Sequence, residues 1–344
     1  MNFIINHNKN DTFIYTKFTI DTKMELGHNI MTNRGYTSAA DRAKETGADV
    51  YQIFYRSPQS YKYFAHPEQE TIELARRNKE YKKKMVIHGS FIINMCQDPA
   101  DYRHYKGVEI LVEDLNVSAQ LNAMGVIIHM GNDTQGNGSV VSKANYTIGI
   151  KEALRRSDKK STLILETGAG CGNEVSSSLE ELGDIRKSLL PDERKRVKFC
   201  LDTCHMFSYG YRLHDMDAVK ILDHHIETHL GWDNISVVHL NDSEDTIGSK
   251  KDNHADIGKG QIDFFGLMHF VSVCVSHRIP MLLETPTHYY NNKRFAHKEQ
   301  MKMIRDYYNI MYTDFGPQIK VTGRTVKKTE LRKKIDYDKK LCIH

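Results

Sequence analysis

The sequence predicts an α/β fold, a (β/α)8 TIM barrel, from two observations. Eight short apolar runs recur along the 344-residue chain, and seven of them end on His, Glu or Asp. Apolar runs of this length between longer polar or helix-periodic stretches are typical of buried parallel strands. Because the carboxyl ends of barrel strands open onto one face, we expect the terminal side chains to converge there. The runs are residues 24–28, 50–54, 85–88, 125–129, 162–166, 197–202, 236–239 and 280–284.

Helix signals lie between these runs, where a barrel needs its outer helices. Residues 37–46 are rich in Ala and precede Gly47 at a C-cap position, and an apolar period of helical type covers 219–230 before Gly231. Ser178 and Glu181 predict a capping box that begins a helix reaching about Leu190, with Pro191 just beyond it. Residues 146–154 and 264–275 supply further helices.

The predicted organisation is a single domain with a short extension at each end. We expect a polar N-terminal extension at 1–23, the barrel at 24–314 and a basic C-terminal tail at 315–344. Residues 318–344 carry nine Lys or Arg against three Asp or Glu, whereas the rest of the chain is nearly neutral. A basic tail suits contact with phosphates, and a solvated end fits the pattern equally well.

The composition predicts a soluble intracellular protein without a membrane partner. No stretch approaches 18 apolar residues, and the six cysteines show neither a disulfide framework nor a CxxC pair. Cys200 and Cys204 flank Asp202 and are candidate zinc ligands, but carboxylate and imidazole groups already crowd that turn. We expect a monomer in the cytoplasm or in a compartment that holds DNA; a nucleus, a viral factory and a virion all remain open.

Nine side chains are candidate metal ligands at the barrel mouth. Three come from loops: His205 lies three residues past Asp202, while Asp252 and His254 lie two apart, on one side of an extended chain. The full set is His88, His129, Glu166, Asp202, His205, His239, Asp252, His254 and Glu284. We expect His28, alone on the first strand, to be a hydrogen-bonded core residue. We expect His224, His225 and His229 to lie exposed on an outer helix.

Coincidence does not explain the set. A chain with 18 His places two or three of them at strand ends by chance, but not five together with four carboxylates. Burying so many ionisable groups without a cation is very costly. Ligand sets of His, Asp and Glu without thiolate suit catalytic zinc or manganese, and nine ligands suffice for two or three ions. Such a cluster suits phosphate-ester hydrolysis.

Six short motifs combine several of these candidate ligands with their neighbours. They are CLDTCH at 200–205, HLNDS at 239–243, DNH at 252–254, IGKG at 257–260, HGSFIIN at 88–94 and LETP at 283–286. By these motifs and their order, the chain resembles the endonuclease IV family of apurinic/apyrimidinic endonucleases, which are zinc-dependent hydrolases of the deoxyribonuclease IV (phage-T4-induced) type. The resemblance covers about residues 25–286, roughly three quarters of the chain.

The resemblance implies a three-zinc site, with manganese as an alternative at one position. His88, His129 and Glu166 would hold one zinc, and His205, Asp252 and His254 would hold another. A third would share Glu166 and add Asp202, His239 and Glu284. Glu284 and Glu166 would be the catalytic carboxylates, with Glu284 assisting the attacking water. The implied reaction is base-excision repair of duplex DNA by cleavage 5′ of an abasic site, leaving a 3′-hydroxyl and a 5′-deoxyribose phosphate.

The resemblance also implies that two loops probe the DNA. They are RSPQSY at 56–61 and the pair Phe91 and Ile92, from which we expect DNA contacts by Gln59, Tyr61, Phe91 and Ile92. Phe91 stands where a tyrosine is usual, and a flat apolar ring still serves as a wedge. Gln59 stands where an arginine often intercalates, which removes a positive charge. We expect the basic tail to compensate.

Two other functions fit the same barrel. A sugar isomerase or epimerase would use one or two divalent ions and a group that moves a proton next to a carbonyl. The third ligand set and the wedge-like loop argue against it. A non-catalytic DNA-binding protein is disfavoured because all nine ligands are intact. Metal content separates the enzymes, since three ions favour the nuclease and one or two the isomerase.

Overall fold

The computed structural model describes residues 23–32, 35–60 and 67–311. Within them, each of the eight apolar runs supplies one strand of a closed parallel barrel. The barrel strands are β1 (Leu26–Asn29), β2 (Val50–Phe54), β3 (Lys84–His88), β4 (Val126–Ile128), β5 (Leu163–Glu166), β6 (Val197–Asp202), β7 (Ile235–His239) and β10 (Met281–Leu283). Their order around the barrel is β1-β10-β7-β6-β5-β4-β3-β2. The predicted TIM barrel is confirmed.

Helices surround the strands and cover the outer face of the barrel. They are α1 (Thr37–Thr46), α2 (Pro67–Tyr81), α3 (Tyr102–Gln120), α4 (Ser139–Arg156), α5 (Leu179–Lys187), α6 (Pro191–Arg194), α7 (Thr203–Tyr209), α8 (Met216–His229), α9 (Phe264–Ser276) and α10 (His297–Asn309). The short strands β8 (Asp242–Ser243) and β9 (His254–Ala255) pair antiparallel above the barrel, and β11 (Tyr289–Tyr290) pairs with β12 (Lys293–Arg294). Among the described residues no helix combines the length and apolarity needed to cross a membrane.

Local signals set most helix ends, with one exception. Gly47 follows α1 in the left-handed conformation, with φ 73°, as its C-cap position predicts. The Ser178 hydroxyl accepts a hydrogen bond from the Glu181 amide and begins α5. The prediction that this helix reaches about Leu190 was wrong, because α5 ends at Lys187. Leu190 is extended since it precedes proline, and Pro191 begins α6.

The barrel interior is filled by an apolar layer beneath the mouth. Seven of the strands contribute to it, with Val50, Val86, Ile127, Ile164, Cys200, Val237 and Leu282, all fully buried. Because side chains alternate along a strand, residues two positions further on point into the same lumen, one layer nearer the mouth. The strands thereby hold polar side chains at the mouth on a rigid apolar base.

The predicted N-terminal extension and the basic tail lie outside the described residues, apart from Lys23, which is described. The predicted boundaries at 24, 314 and 315 therefore stay predictions.

Candidate metal centre

The barrel brings all nine predicted ligands together at the carboxyl end of its strands. Four of them are the last residues of strands β3, β5, β6 and β7, and two follow β4 and β10 directly. His205 lies in the first turn of α7, Asp252 lies in the loop between β8 and β9, and His254 begins β9. We call these nine residues the ligand ring: His88, His129, Glu166, Asp202, His205, His239, Asp252, His254 and Glu284.

The first group in the ligand ring is centred on Glu166. Its Oε2 lies 3.3 Å from His88 Nε2 and 3.5 Å from His129 Nε2. The three donor atoms lie within 4.8 Å of one another. Nδ1 of His88 lies 2.7 Å from the Gly89 carbonyl oxygen. Because a carbonyl only accepts, Nδ1 carries a proton, and Nε2, which faces Glu166 Oε2, is the nitrogen that would bind a cation.

The second group surrounds Nδ1 of His239. This atom lies 2.7 Å from Glu166 Oε1, 3.1 Å from Glu284 Oε2 and 3.7 Å from Asp202 Oδ2. Glu166 therefore faces both groups, one through each carboxylate oxygen, as a bridging ligand must. Asp202 is fixed by hydrogen bonds from the His205 amide at 2.9 Å and the Asn241 side chain at 2.7 Å.

The third group joins His205, Asp252 and His254. Asp252 Oδ1 lies 2.9 Å from His205 Nε2 and 3.0 Å from His254 Nε2. Despite these distances, neither buried nitrogen makes a hydrogen bond of good geometry. The other nitrogen of His205 faces the Thr167 carbonyl at 2.8 Å, so Nε2 is the nitrogen that faces the position of a cation. Donor atoms that converge on one point without bonding each other are typical of a cation site.

The electrostatics of the ligand ring favour bound cations. Burial acts to raise the pKa of Glu166, but His129 and His239 hold it well below its usual value. Burial likewise acts to lower the pKa of His254, and Asp202 and Asp252 raise it to about 9. The carboxylates thus remain ionised only with positive charge beside them. Protonated imidazoles supply that charge in the absence of metal, and divalent cations supply it when bound.

The two cysteines near the ligand ring are buried thiols. Cys200 belongs to the apolar layer under the ring, and burial raises its pKa and that of Cys204 to about 12. Each sulfur lies within 4.8 Å of two donors of the ring. Because oxygen and nitrogen donors already complete the three groups, the thiols are not needed as ligands.

The histidines set aside by sequence lie outside the ligand ring, but the prediction that His225 and His229 are exposed was wrong. Both ring nitrogens of His28 are occupied, Nδ1 by the Asn29 carbonyl at 2.8 Å and Nε2 by the Thr46 hydroxyl at 2.9 Å. His224 is exposed on α8. His225 and His229 are half-buried on the same helix and approach Glu180 of α5 on the outside of the barrel.

The loop residues predicted to contact DNA border the mouth, as far as they are described. Phe91 is 52% exposed, and its ring lies edge-on to His88 and His129 at 5.4 and 5.3 Å. Gln59 is exposed and Ile92 is half-buried, whereas Tyr61 lies outside the described residues. The Phe91 amide donates to the Pro58 carbonyl at 2.9 Å, which joins the two loops.

Arg56, the first residue of the RSPQSY segment, turns inward rather than toward the mouth. Its guanidinium is 3% exposed and donates to Asp114 at 2.7 Å and to Glu113 at 2.6 Å, both on α3. Burial raises the pKa of Asp114 to about 6 in spite of this partner. Arg56 therefore anchors the loop that carries Gln59.

Sequence reasoning missed one residue of the site, Gln52. Its amide lies 2.6 Å from Glu284 Oε1 and 2.8 Å from His239 Nε2, and it is fully buried. The available signal was its position as the one polar residue that is not aromatic in the run 50–54. The position alone does not indicate a role, because the partners of the amide are known only once the fold is known.

Comparisons with known proteins point to one fold and one family. A family model described as a xylose isomerase-like TIM barrel matches residues 40–307. A protein named as an endonuclease 4 from Acanthamoeba polyphaga mimivirus is 35% identical over 82% of this chain and 93% of its own length. One from Halothermothrix orenii is 32% identical over 76% of this chain and 94% of its own.

Solved structures give the same picture. Endonuclease IV from Thermus thermophilus superposes with a TM-score of 0.69 at 26% identity, covering 82% of this chain and 98% of that one. A D-tagatose 3-epimerase-like protein superposes with a TM-score of 0.63 at 16% identity, over 83% of this chain and 98% of its own, and shows a shared fold only.

Proposed function

The chain belongs to the endonuclease IV family, and from that premise we propose that it is a zinc-dependent apurinic/apyrimidinic endonuclease of DNA repair. Its substrate is duplex DNA with an abasic site. Hydrolysis of the phosphodiester 5′ of that site leaves a 3′-hydroxyl and a 5′-deoxyribose phosphate. The observation that carries the proposal is the ligand ring, whose donors form three groups, two of which share Glu166.

Each group of the ring holds one zinc ion in this proposal. His88, His129 and Glu166 bind the first, and Glu166, Asp202, His239 and Glu284 bind the second. His205, Asp252 and His254 bind the third. Bound zinc lowers the pKa of water and stabilises the attacking and leaving oxygens of an in-line displacement. Manganese is an alternative at one position, because imidazole and carboxylate donors suit both ions.

Glu284 is the residue that we assign to orienting the attacking water. Its side chain is 15% exposed, whereas the side chain of Glu166 is 1% exposed. Of the two carboxylates assigned to catalysis, Glu284 is therefore the one that solvent water can reach. Glu166 faces two groups with its two oxygens and is better suited to hold cations at a fixed separation than to meet solvent.

Phe91, Ile92 and Gln59 form the side of the mouth that meets DNA in this proposal. Extrusion of a nucleotide costs least where no base is stacked, and an apolar wedge lowers that cost further. The exposed ring of Phe91 stands directly beside His88 and His129, so a wedge there would direct the extruded sugar phosphate to the ring. Tyr61 and the basic tail stay predicted DNA contacts.

The experiment is incision of a labelled duplex that carries one tetrahydrofuran abasic mimic, beside an undamaged control. The mimic does not undergo β-elimination, so each cut reports hydrolysis. We expect one cut 5′ of the lesion, a 3′-hydroxyl that a polymerase extends, and a loss of turnover by orders of magnitude in Glu284→Gln. His224→Ala, on the outer helix, should cut like the unaltered protein. Failure to cut with three zinc ions bound would refute the substrate assignment.

A further inference from the structure

Gln52 occupies a position in the lumen that the apolar pattern of β2 does not explain. Val50, two residues before it, belongs to the apolar layer under the mouth. Gln52 therefore points into the same lumen one layer higher, at the level of the ligand ring. Its side chain is fully buried, and burying an amide is costly unless its donors and acceptor find partners.

The partners of Gln52 are two members of the ligand ring on different strands. Its amide nitrogen donates to Glu284 Oε1 at 2.6 Å, and its amide oxygen lies 2.8 Å from Nε2 of His239. An ionised carboxylate only accepts hydrogen bonds, so the NH2 group must face Glu284 and the oxygen must face His239. The amide oxygen only accepts as well, and the proton of His239 therefore lies on Nε2.

This arrangement decides which atom of His239 is available to a cation. Without a cation, Nδ1 also donates to Glu166 Oε1 at 2.7 Å. When a cation replaces that proton, the proton held by Gln52 stays on Nε2, and Nδ1 carries the lone pair. Nδ1 is the atom that faces Glu166, Asp202 and Glu284, at 2.7, 3.7 and 3.1 Å. The same amide holds the other oxygen of Glu284, so that Oε2 stays directed at this group. One side chain thus orients two ligands from β7 and the end of β10.

We propose that Gln52 is a positioning residue for the metal held by Glu166, Asp202, His239 and Glu284. It fixes the Nε2–H tautomer of His239 and the orientation of Glu284. The proposal rests on the proposed function for the presence of that metal. Side chains that orient metal ligands through hydrogen bonds typically contribute about 10- to 100-fold to metal affinity, which sets the size of the expected effect.

The test compares Gln52→Met with Gln97→Met in the full-length protein. Methionine keeps the length of the side chain and removes both hydrogen bonds. Gln97 is a matched control, because it is also a buried amide, 2% exposed, and donates to Thr134 at 3.0 Å but to no member of the ligand ring. Zinc affinity is measured by competition with a chromophoric chelator, and unfolding of the chelated proteins is measured by urea titration.

We expect Gln52→Met to weaken the binding of one of the three zinc ions about 10- to 100-fold and to leave the affinities of the other two unchanged. Gln97→Met should keep all three affinities whatever it does to the unfolding midpoint. Equal zinc affinities in Gln52→Met and the unaltered protein would overturn the proposal. So would equal losses in both variants, because the effect would then come from general destabilisation.

A second measurement needs no variant. Long-range 1H–15N correlation spectra of the histidine-labelled, zinc-loaded protein report the tautomer of each imidazole. We expect His239 to carry its proton on Nε2, and a proton on Nδ1 would overturn the proposal. Failure of the proposed function is a separate result, because it appears in the unaltered protein as a low zinc count or an absence of incision.

Discussion

His28 is a buried core histidine outside the ligand ring, and its titration should make the folded protein less stable in acid. The side chain is 6% exposed at the end of β1 and stacks on His297 with ring centroids 4.5 Å apart. Burial lowers its pKa from 6.5 to about 4, helped by the neighbouring His297. Between pH 6.5 and 4, His28 is therefore protonated in the unfolded chain but neutral in the folded protein. The free energy of unfolding falls as the pH falls through this window.

The size of the effect follows from the shift. One pKa unit corresponds to about 1.4 kcal/mol, so a shift of this extent removes up to about 3 kcal/mol of unfolding free energy at the acid end. Other groups titrate in the same range, and the variant His28→Gln isolates this one. Glutamine keeps hydrogen-bonding capacity toward Asn29 and Thr46 but does not titrate.

The assay is urea unfolding of the metal-free, chelated protein at about pH 7 and at about pH 4.5. The control is His224→Gln, at an exposed position of α8. We expect His28→Gln to lose less stability on acidification than the unaltered protein, by about 2 to 3 kcal/mol, and the control to show no such difference. Zinc content and incision at neutral pH should be unchanged in His28→Gln. Equal acid sensitivity, or a lost zinc ion, would refute the placement of His28 outside the ligand ring.

Three other perturbations test the proposed wedge, the anchor of the loop that carries Gln59, and the predicted tail. Phe91→Ala removes the exposed ring beside His88, and we expect about tenfold weaker binding of abasic duplex by fluorescence anisotropy with zinc content unchanged; unaltered affinity would exclude a wedge. Arg56→Met leaves Asp114 buried without its partner and should cost about 3 to 5 kcal/mol in urea unfolding, most of it restored in Arg56→Met/Asp114→Leu; a double variant as unstable as the single one would contradict this. Deleting residues 318–344 should weaken DNA binding and reduce its salt dependence, whereas an unchanged slope would show that the tail does not contact phosphates.

The strands and the ligand ring were predictable because each depends on a short local pattern. A buried parallel strand needs only a run of apolar residues, and the carboxyl end of that strand lies at the mouth. Because both faces of a barrel strand are buried, the apolar runs alone predicted all eight barrel strands. The loop ligands His205, Asp252 and His254 were reached through their spacing from strand ends and one another, which the turn into α7 and the extended chain before β9 preserve.

What the sequence did not reveal depends on contacts between distant segments. Gln52 and Glu284 are 232 residues apart, and no pattern in either strand announces the hydrogen bond between them. Arg56 begins a segment that resembles a DNA-probing loop, and its inward orientation depends on Asp114 of α3, 58 residues away. The early end of α5 has a local cause instead, because Pro191 disfavours the helical conformation at Leu190.

Counting zinc by native mass spectrometry tests the central claim most directly. The protein is purified without added metal, stripped with chelator, and titrated with zinc while incision of the tetrahydrofuran duplex is followed in parallel. The three groups of the ligand ring predict three zinc ions per chain, with incision restored only as the last site fills. Saturation at one or two ions without incision would contradict this account and favour chemistry on sugars.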